Sequence, residues 1–124
     1  MGHYAYELTE ATTFINKKHF DKVLTKIKNE VKQDRWRGYG WRDAVLNTET
    51  LEDFAKEFNI QLIDEGNDNY RPYINDVYVS DFFRPLIHII APYMTDGEIK
   101  VDDEYDTVTI EFDNGTEMIY YGLQ

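Results

Sequence analysis

Two alternating segments, TVTIEF (107–112) and TEMIYY (116–121), flank Asn114-Gly115. An Asn-Gly pair between alternating apolar runs is the strongest short-range signal for a two-residue β-hairpin, because both central residues of that turn need positive φ. The turn sets the register. Asp113 pairs with Thr116, Phe112 with Glu117, Ile110 with Ile119 and Val108 with Tyr121. Side chains alternate across a strand. Val108, Ile110, Phe112, Ile119 and Tyr121 are therefore expected on the buried face, and Thr109, Glu111, Met118 and Tyr120 on the other. GEIKV, after the Asp96-Gly97 turn, adds a third strand, so this end of the chain reads as a hairpin or meander.

The rest of the chain supplies helices and further strands. Phe20, Val23, Leu24, Ile27 and Val31 recur at helical spacing behind Asn16, a cap residue, and six lysines (Lys17, Lys18, Lys22, Lys26, Lys28, Lys32) decorate the other faces. TLEDFAKEF predicts a second helix capped by Thr50, with Leu51, Phe54, Ala55 and Phe58 buried, and closed by Asn59. FFRPLIHIIAPYM is apolar nearly all round, which predicts a largely buried helix, with Ser80 or Asp81 as its cap and Pro92 near its end. HYAYEL (3–8), IQLID and YINDVYV read as strands, with EGNDN as a polar turn. The order is β-α-α-β-β-α-β-β-β, and no segment has the strand-helix-strand spacing of a doubly wound sheet. The expected fold is α+β: a mainly antiparallel sheet with about three helices packed on one face, in one domain over 1–124.

Charge is divided unevenly. Residues 1–45 hold nine Lys/Arg and six Asp/Glu, residues 46–124 four and eighteen, and the whole chain of 124 residues carries a net charge of -11. Such a balance repels free nucleic acid and attracts basic partners. Two acidic groups stand out: Glu49, Glu52, Asp53 and Glu57 on the second helix, and Asp102, Asp103, Glu104 and Asp106 in the turn after GEIKV. A solvated surface explains both equally well.

RWRGYGWR (35–42) runs against this charge. Arg35, Trp36, Arg37, Tyr39 and Trp41 form a basic, aromatic cluster broken by Gly38 and Gly40. Aromatics stack on bases and arginines pair with phosphates; Trp and Arg also dominate protein interfaces; and a loop between helices commonly packs a tryptophan into the core. Set against the acidic remainder of the chain, a protein surface is preferred over a phosphate backbone as its partner.

Motifs for chemistry are lacking. Ser80, the one serine, has no nucleophile-elbow glycines. His3, His19 and His88 lie far apart, without zinc-ligand spacing, and His88 reads as a core or boundary histidine. The acidic runs from Asp64 and from Asp102 lack the glycine of a calcium loop. No cofactor, metal or catalytic residue is assigned, and an enzyme is not expected. There is no cysteine. The opening MGHYAYELTE lacks the pattern of a signal peptide, and no apolar run is long enough to span a membrane. A soluble cytoplasmic protein in a bacterial host cell is the expectation, with no membrane partner. Self-association through an outward Met118 and Tyr120 is compatible with this pattern.

The segments HYAYEL, FIN, TLEDFAKEF, IAPYMTDGEI and FDNGTEMIYY resemble a family of small, largely uncharacterised phage and mobile-element proteins. The likeness is clearest over 81–121. An apolar helix ends in Ala-Pro-aromatic (Ala91, Pro92, Tyr93), a turn and strand follow (Gly97, Ile99), and a hairpin turns at Gly115 with Tyr120 and Tyr121 behind it. The Trp usual after the hairpin glycine is replaced by Thr-Glu-Met. The resemblance implies a phage or prophage context and no known enzyme activity. It suggests a non-enzymatic inhibitor of a nucleic-acid-handling defence enzyme, of the anti-CRISPR or DNA-mimic type. Two other readings stay open: an immunity protein against a basic nuclease toxin, and a nucleic-acid or nucleotide-binding module using the 35–42 loop.

Overall fold

The computed structural model describes residues 5–78, 81–102 and 107–122, with side-chain surroundings for all of these except 5–9 and 75–78. Its strands are β1 (Ala5–Ala11), β2 (Ile15–Asn16), β3 (Ile60–Asp64), β4 (Asn69–Tyr78), β5 (Gly97–Asp102), β6 (Thr107–Asp113) and β7 (Thr116–Tyr121). Its helices are α1 (Phe20–Val31), α2 (Arg42–Leu46), α3 (Leu51–Glu57) and α4 (Phe83–Ile90). The fold is α+β, as the sequence predicts, and every strand pair is antiparallel.

The sheet order is β2-β4-β1-β5-β6-β7, with β3 also paired to β4. β4 changes neighbours along its length. Its first half pairs with β3 and β2, and its second half with β1 (Tyr6 opposite Val77). The β6–β7 register matches the expectation at every position, from Asp113–Thr116 to Val108–Tyr121. Asn114 and Gly115 have φ of 51° and 78°, the positive values that the turn requires.

The core is formed by the apolar stripe of α1 (Phe20, Val23, Leu24, Ile27, Val31), by Leu51, Phe54 and Ala55 of α3, by Leu86 and Ile87 of α4, and by Ile99, Val101, Val108, Ile110 and Phe112 of the meander. Local chemistry sets the helix ends. Asn16 Oδ1 accepts from Lys18 N (3.1 Å), capping a single 3-10 turn that leads into α1. Thr50 Oγ1 accepts from Asp53 N (3.0 Å), and Asn59, at φ 57°, closes α3.

Several expectations need correction. β1 runs on to Ala11, beyond HYAYEL, and β4 begins at Asn69 rather than Tyr73. Asp81 is not the N-cap residue of α4: the helix starts at Phe83 with Phe82 in that position, and the Asp81 carboxylate accepts from Tyr39 Oη. Ser80 lies outside the described residues. α4 is buried on one side only, with Arg84 and His88 exposed. His88 is no core residue, since its side chain is 79% exposed. Tyr121 lies on the inner side of the hairpin as the register demands, yet it is 54% exposed, because β7 is the last strand of the sheet. No helix among the described residues is long and apolar enough to cross a membrane.

Candidate functional site: an aromatic corner and an acidic helix

The 35–42 segment turns its rings inward. Asp34–Trp36 forms a 3-10 turn, and Gly38 (φ 91°) reverses the chain in a conformation that favours glycine. Trp36, Tyr39 and Trp41 are thereby brought together, with ring centroids 5.3 to 5.7 Å apart. Trp36 is 3% exposed and meets Phe82 edge-on at 5.0 Å. Trp41 touches Phe82 (5.1 Å) and Phe58 (5.5 Å). The cluster joins α2, the end of α3 and the start of α4.

The polar atoms of the segment are used locally. Trp36 Nε1 donates to Glu30 Oε2 at 2.6 Å, and Arg35 pairs with the same carboxylate while lying over the Trp36 ring. Arg42 donates to the last carbonyls of α1, Val31 (2.9 Å) and Lys32 (2.8 Å). It therefore satisfies groups that a helix C-terminus leaves open. Arg37 pairs with Asp34 at 2.9 Å on the exposed surface. Burial alone would raise the Glu30 pKa, but the hydrogen bonds from Trp36 and Arg35, with the Arg35 charge, outweigh it and hold the carboxyl below its usual range. Tyr39 is shifted upward, first by its hydrogen bond to Asp81.

The acidic helix is arranged differently. Glu49, Asp53 and Glu57 are exposed and Glu52 is half-exposed. Among the described residues, no ion pair joins any of these four to a cation. Glu52 and Asp53 lie in the first turn of α3, where the helix dipole favours negative charge. Of the second acidic group, the described Asp102 is not brought beside the first. α3 packs on α1, α2 and β3, whereas Asp102 ends β5, beyond β4 and β1 in the sheet. Asp102 is exposed and accepts from Thr107 Oγ1 (2.9 Å). Asp103, Glu104 and Asp106 lie outside the described residues.

Further charged surface emerges from the register. On the outer face of the meander Glu98 lies opposite Glu111, and Lys100 opposite Thr109, Tyr120 continuing the second row. Lys100 Nζ lies 3.5 Å from Glu98 and 3.8 Å from Glu10. Sequence spacing already turned Glu111, Met118 and Tyr120 outward. It carried no signal for the row beside them on the inner side, Arg84 and His88 of α4 against β7. Lys17, Lys18, Lys22, Lys26 and Lys32 are exposed on α1 and at its two ends. His19 among them is held below its usual pKa, first by burial and then by the charges of Lys18 and Lys22.

A cavity of about 70 Å³ lies between α3, α4 and the β3–β4 hairpin, with apolar lining residues such as Leu51, Phe54, Leu62 and Leu86. No polar group converges on it. No group of His, Asp and Glu among the described residues is arranged to hold a metal ion. No family model, no curated protein and no solved structure matches this chain.

Proposed function

We propose that the protein is a non-enzymatic binder of a basic protein surface, of the phage type that its segments resemble, and that α3 carries the contact. The supporting observation is that Glu49, just before α3, and Asp53 and Glu57 on it are exposed and, among the described residues, make no ion pair. Asp53 and Glu57 are one turn apart, a rise of about 6 Å. Carboxylates so spaced can enter a groove built for phosphates and displace its counterions. A nucleic-acid-handling enzyme of a host defence system offers such a groove. A basic nuclease toxin offers one too, so the activity of the captured partner distinguishes an inhibitor from an immunity protein. Burial of Trp36 and the local use of Arg35 and Arg42 argue against base stacking by the 35–42 segment.

The test is capture from bacterial lysate on immobilised protein at low and high salt. A basic, nucleic-acid-binding partner is expected. It should be released by salt, displaced by duplex DNA, and lost when Glu49, Asp53 and Glu57 are changed to Lys. Capture of no such partner at low salt, or capture indifferent to the charge reversal, would overturn the proposal.

A further inference from the structure

β7 ends the sheet, and among the described residues it pairs only with β6. Natural edge strands are guarded by lysine, proline or bulges. β7 (TEMIYY) has none of these: its pairing with β6 is continuous, and its one charged residue, Glu117, is bound by His88 Nδ1 at 2.7 Å. Met118, Tyr120 and Tyr121 are 55%, 41% and 54% exposed.

The direction of its free backbone groups follows from one contact. Gly122 N donates to Thr107 O at 3.1 Å, so 122 and 107 stand at a hydrogen-bonded position of the ladder. Bonded and non-bonded positions alternate in an antiparallel pair. The even residues of β7 therefore face β6, and Glu117, Ile119 and Tyr121 direct N–H and C=O to the open edge.

We propose that this edge recognises a second copy of the same chain, the two β7 strands pairing antiparallel about Ile119. Residues opposed across an antiparallel pair share a face, which restricts the registers. With Ile119 opposite its own copy, Glu117 meets Tyr121 twice, and all three outward residues bond, giving about six hydrogen bonds against about four when the centre moves to Met118 or Tyr120. The outer face then pairs Met118 with Tyr120 in both directions, a sulfur–aromatic contact. No like charges are opposed.

Charge complementarity selects the same register. Arg84 lies over the Tyr121 ring at 5.5 Å and donates to its Oη at 2.7 Å, on the side of the sheet where His88 holds Glu117. Within one chain Glu117 and Tyr121 are about 13 Å apart along the strand. In the pair, the Arg84–Tyr121 unit of one protomer stands beside Glu117 of its partner, at two symmetric places.

Sedimentation equilibrium up to about 1 mM protein tests this, the range suited to a small interface. A monomer–dimer equilibrium is expected. Arg84→Glu or Glu117→Arg alone should weaken it about tenfold or more by opposing like charges, and the double variant should restore it. Ile119→Pro, which removes an N–H that β6 does not use, should abolish it. In the dimer the amides of Glu117, Ile119 and Tyr121 should exchange slowly. A monomer at every concentration would overturn the proposal. So would a dimer that is indifferent to both single charge changes, or one in which these three amides exchange freely.

Discussion

Two segments of this chain are rich in large side chains, and they are used in opposite ways. The 35–42 corner gathers Trp36, Tyr39 and Trp41 with Phe58 and Phe82, and ties Trp36 Nε1 to Glu30 and Tyr39 Oη to Asp81. β7 leaves Met118, Tyr120 and Tyr121 largely in solvent. Composition does not separate the two; backbone geometry does. A reversal at Gly38 lets rings three and five residues apart converge, whereas an extended strand sends its neighbours to opposite faces. At the rim of the sheet the strand has a partner on one side only.

The contrast can be broken by substitution. Trp36→Ala should have the largest effect, a loss of about 3–5 kcal/mol, as for other large-to-small changes in a core. Urea denaturation measures it, and a loss below about 1 kcal/mol would show that the corner is not part of the core.

Glu30→Gln sharpens the account of the corner. It should cost roughly 1–3 kcal/mol at neutral pH by weakening charge-assisted bonds to Trp36 and Arg35. The sign with pH follows from the lowered folded pKa. The stabilisation is complete above the ordinary glutamate range and is lost as pH falls through the folded value. The variant should lack that part of the acid limb in denaturation midpoints measured across pH. An unchanged acid limb would remove Glu30 from the account.

Smaller effects are expected on the meander. Glu111→Thr relieves the like-charge pair with Glu98, and should stabilise by about 0.2–1 kcal/mol, most at low salt. Met118→Ala or Tyr120→Ala should change monomer stability by about 0.5 kcal/mol or less. A larger loss for either would mean that β7 is as much a part of the core as the corner is. Titration with single-stranded oligonucleotides should leave tryptophan fluorescence unchanged at low salt. Quenching would restore the corner as a stacking surface.

Periodicity made much of the fold legible. The α1 stripe, the Thr50 cap, Asn59 at the end of α3 and the β6–β7 register all rest on local rules, and local rules suffice where one element's own sequence decides its form. What failed depended on neighbours. Tyr121 and Phe112 share a face of the same hairpin, but Phe112 lies inside the sheet and Tyr121 at its edge. Asp81 has the chemistry of a cap and gives its carboxylate to Tyr39, forty-two positions earlier in the chain. The acidic face of α3 was visible in the sequence, but that it makes no ion pair among the described residues was not. In its apolar run Arg84 carries no signal and His88 reads as a core or boundary residue; only β7 beside them gives both their partners.

The place of β1 has a consequence for how the protein is made. Its strand neighbours are β4 and β5, reached through pairs such as Tyr6 with Val77 and Leu8 with Val101. On the ribosome β1 is synthesised before the other described strands, yet neither side of it can close until β4 and β5 have followed. The β3–β4 and β6–β7 hairpins, joined by short turns, can form at once. Assembly of the sheet is therefore set by the wait of its earliest strand, which spends the longest time with both edges open to other chains.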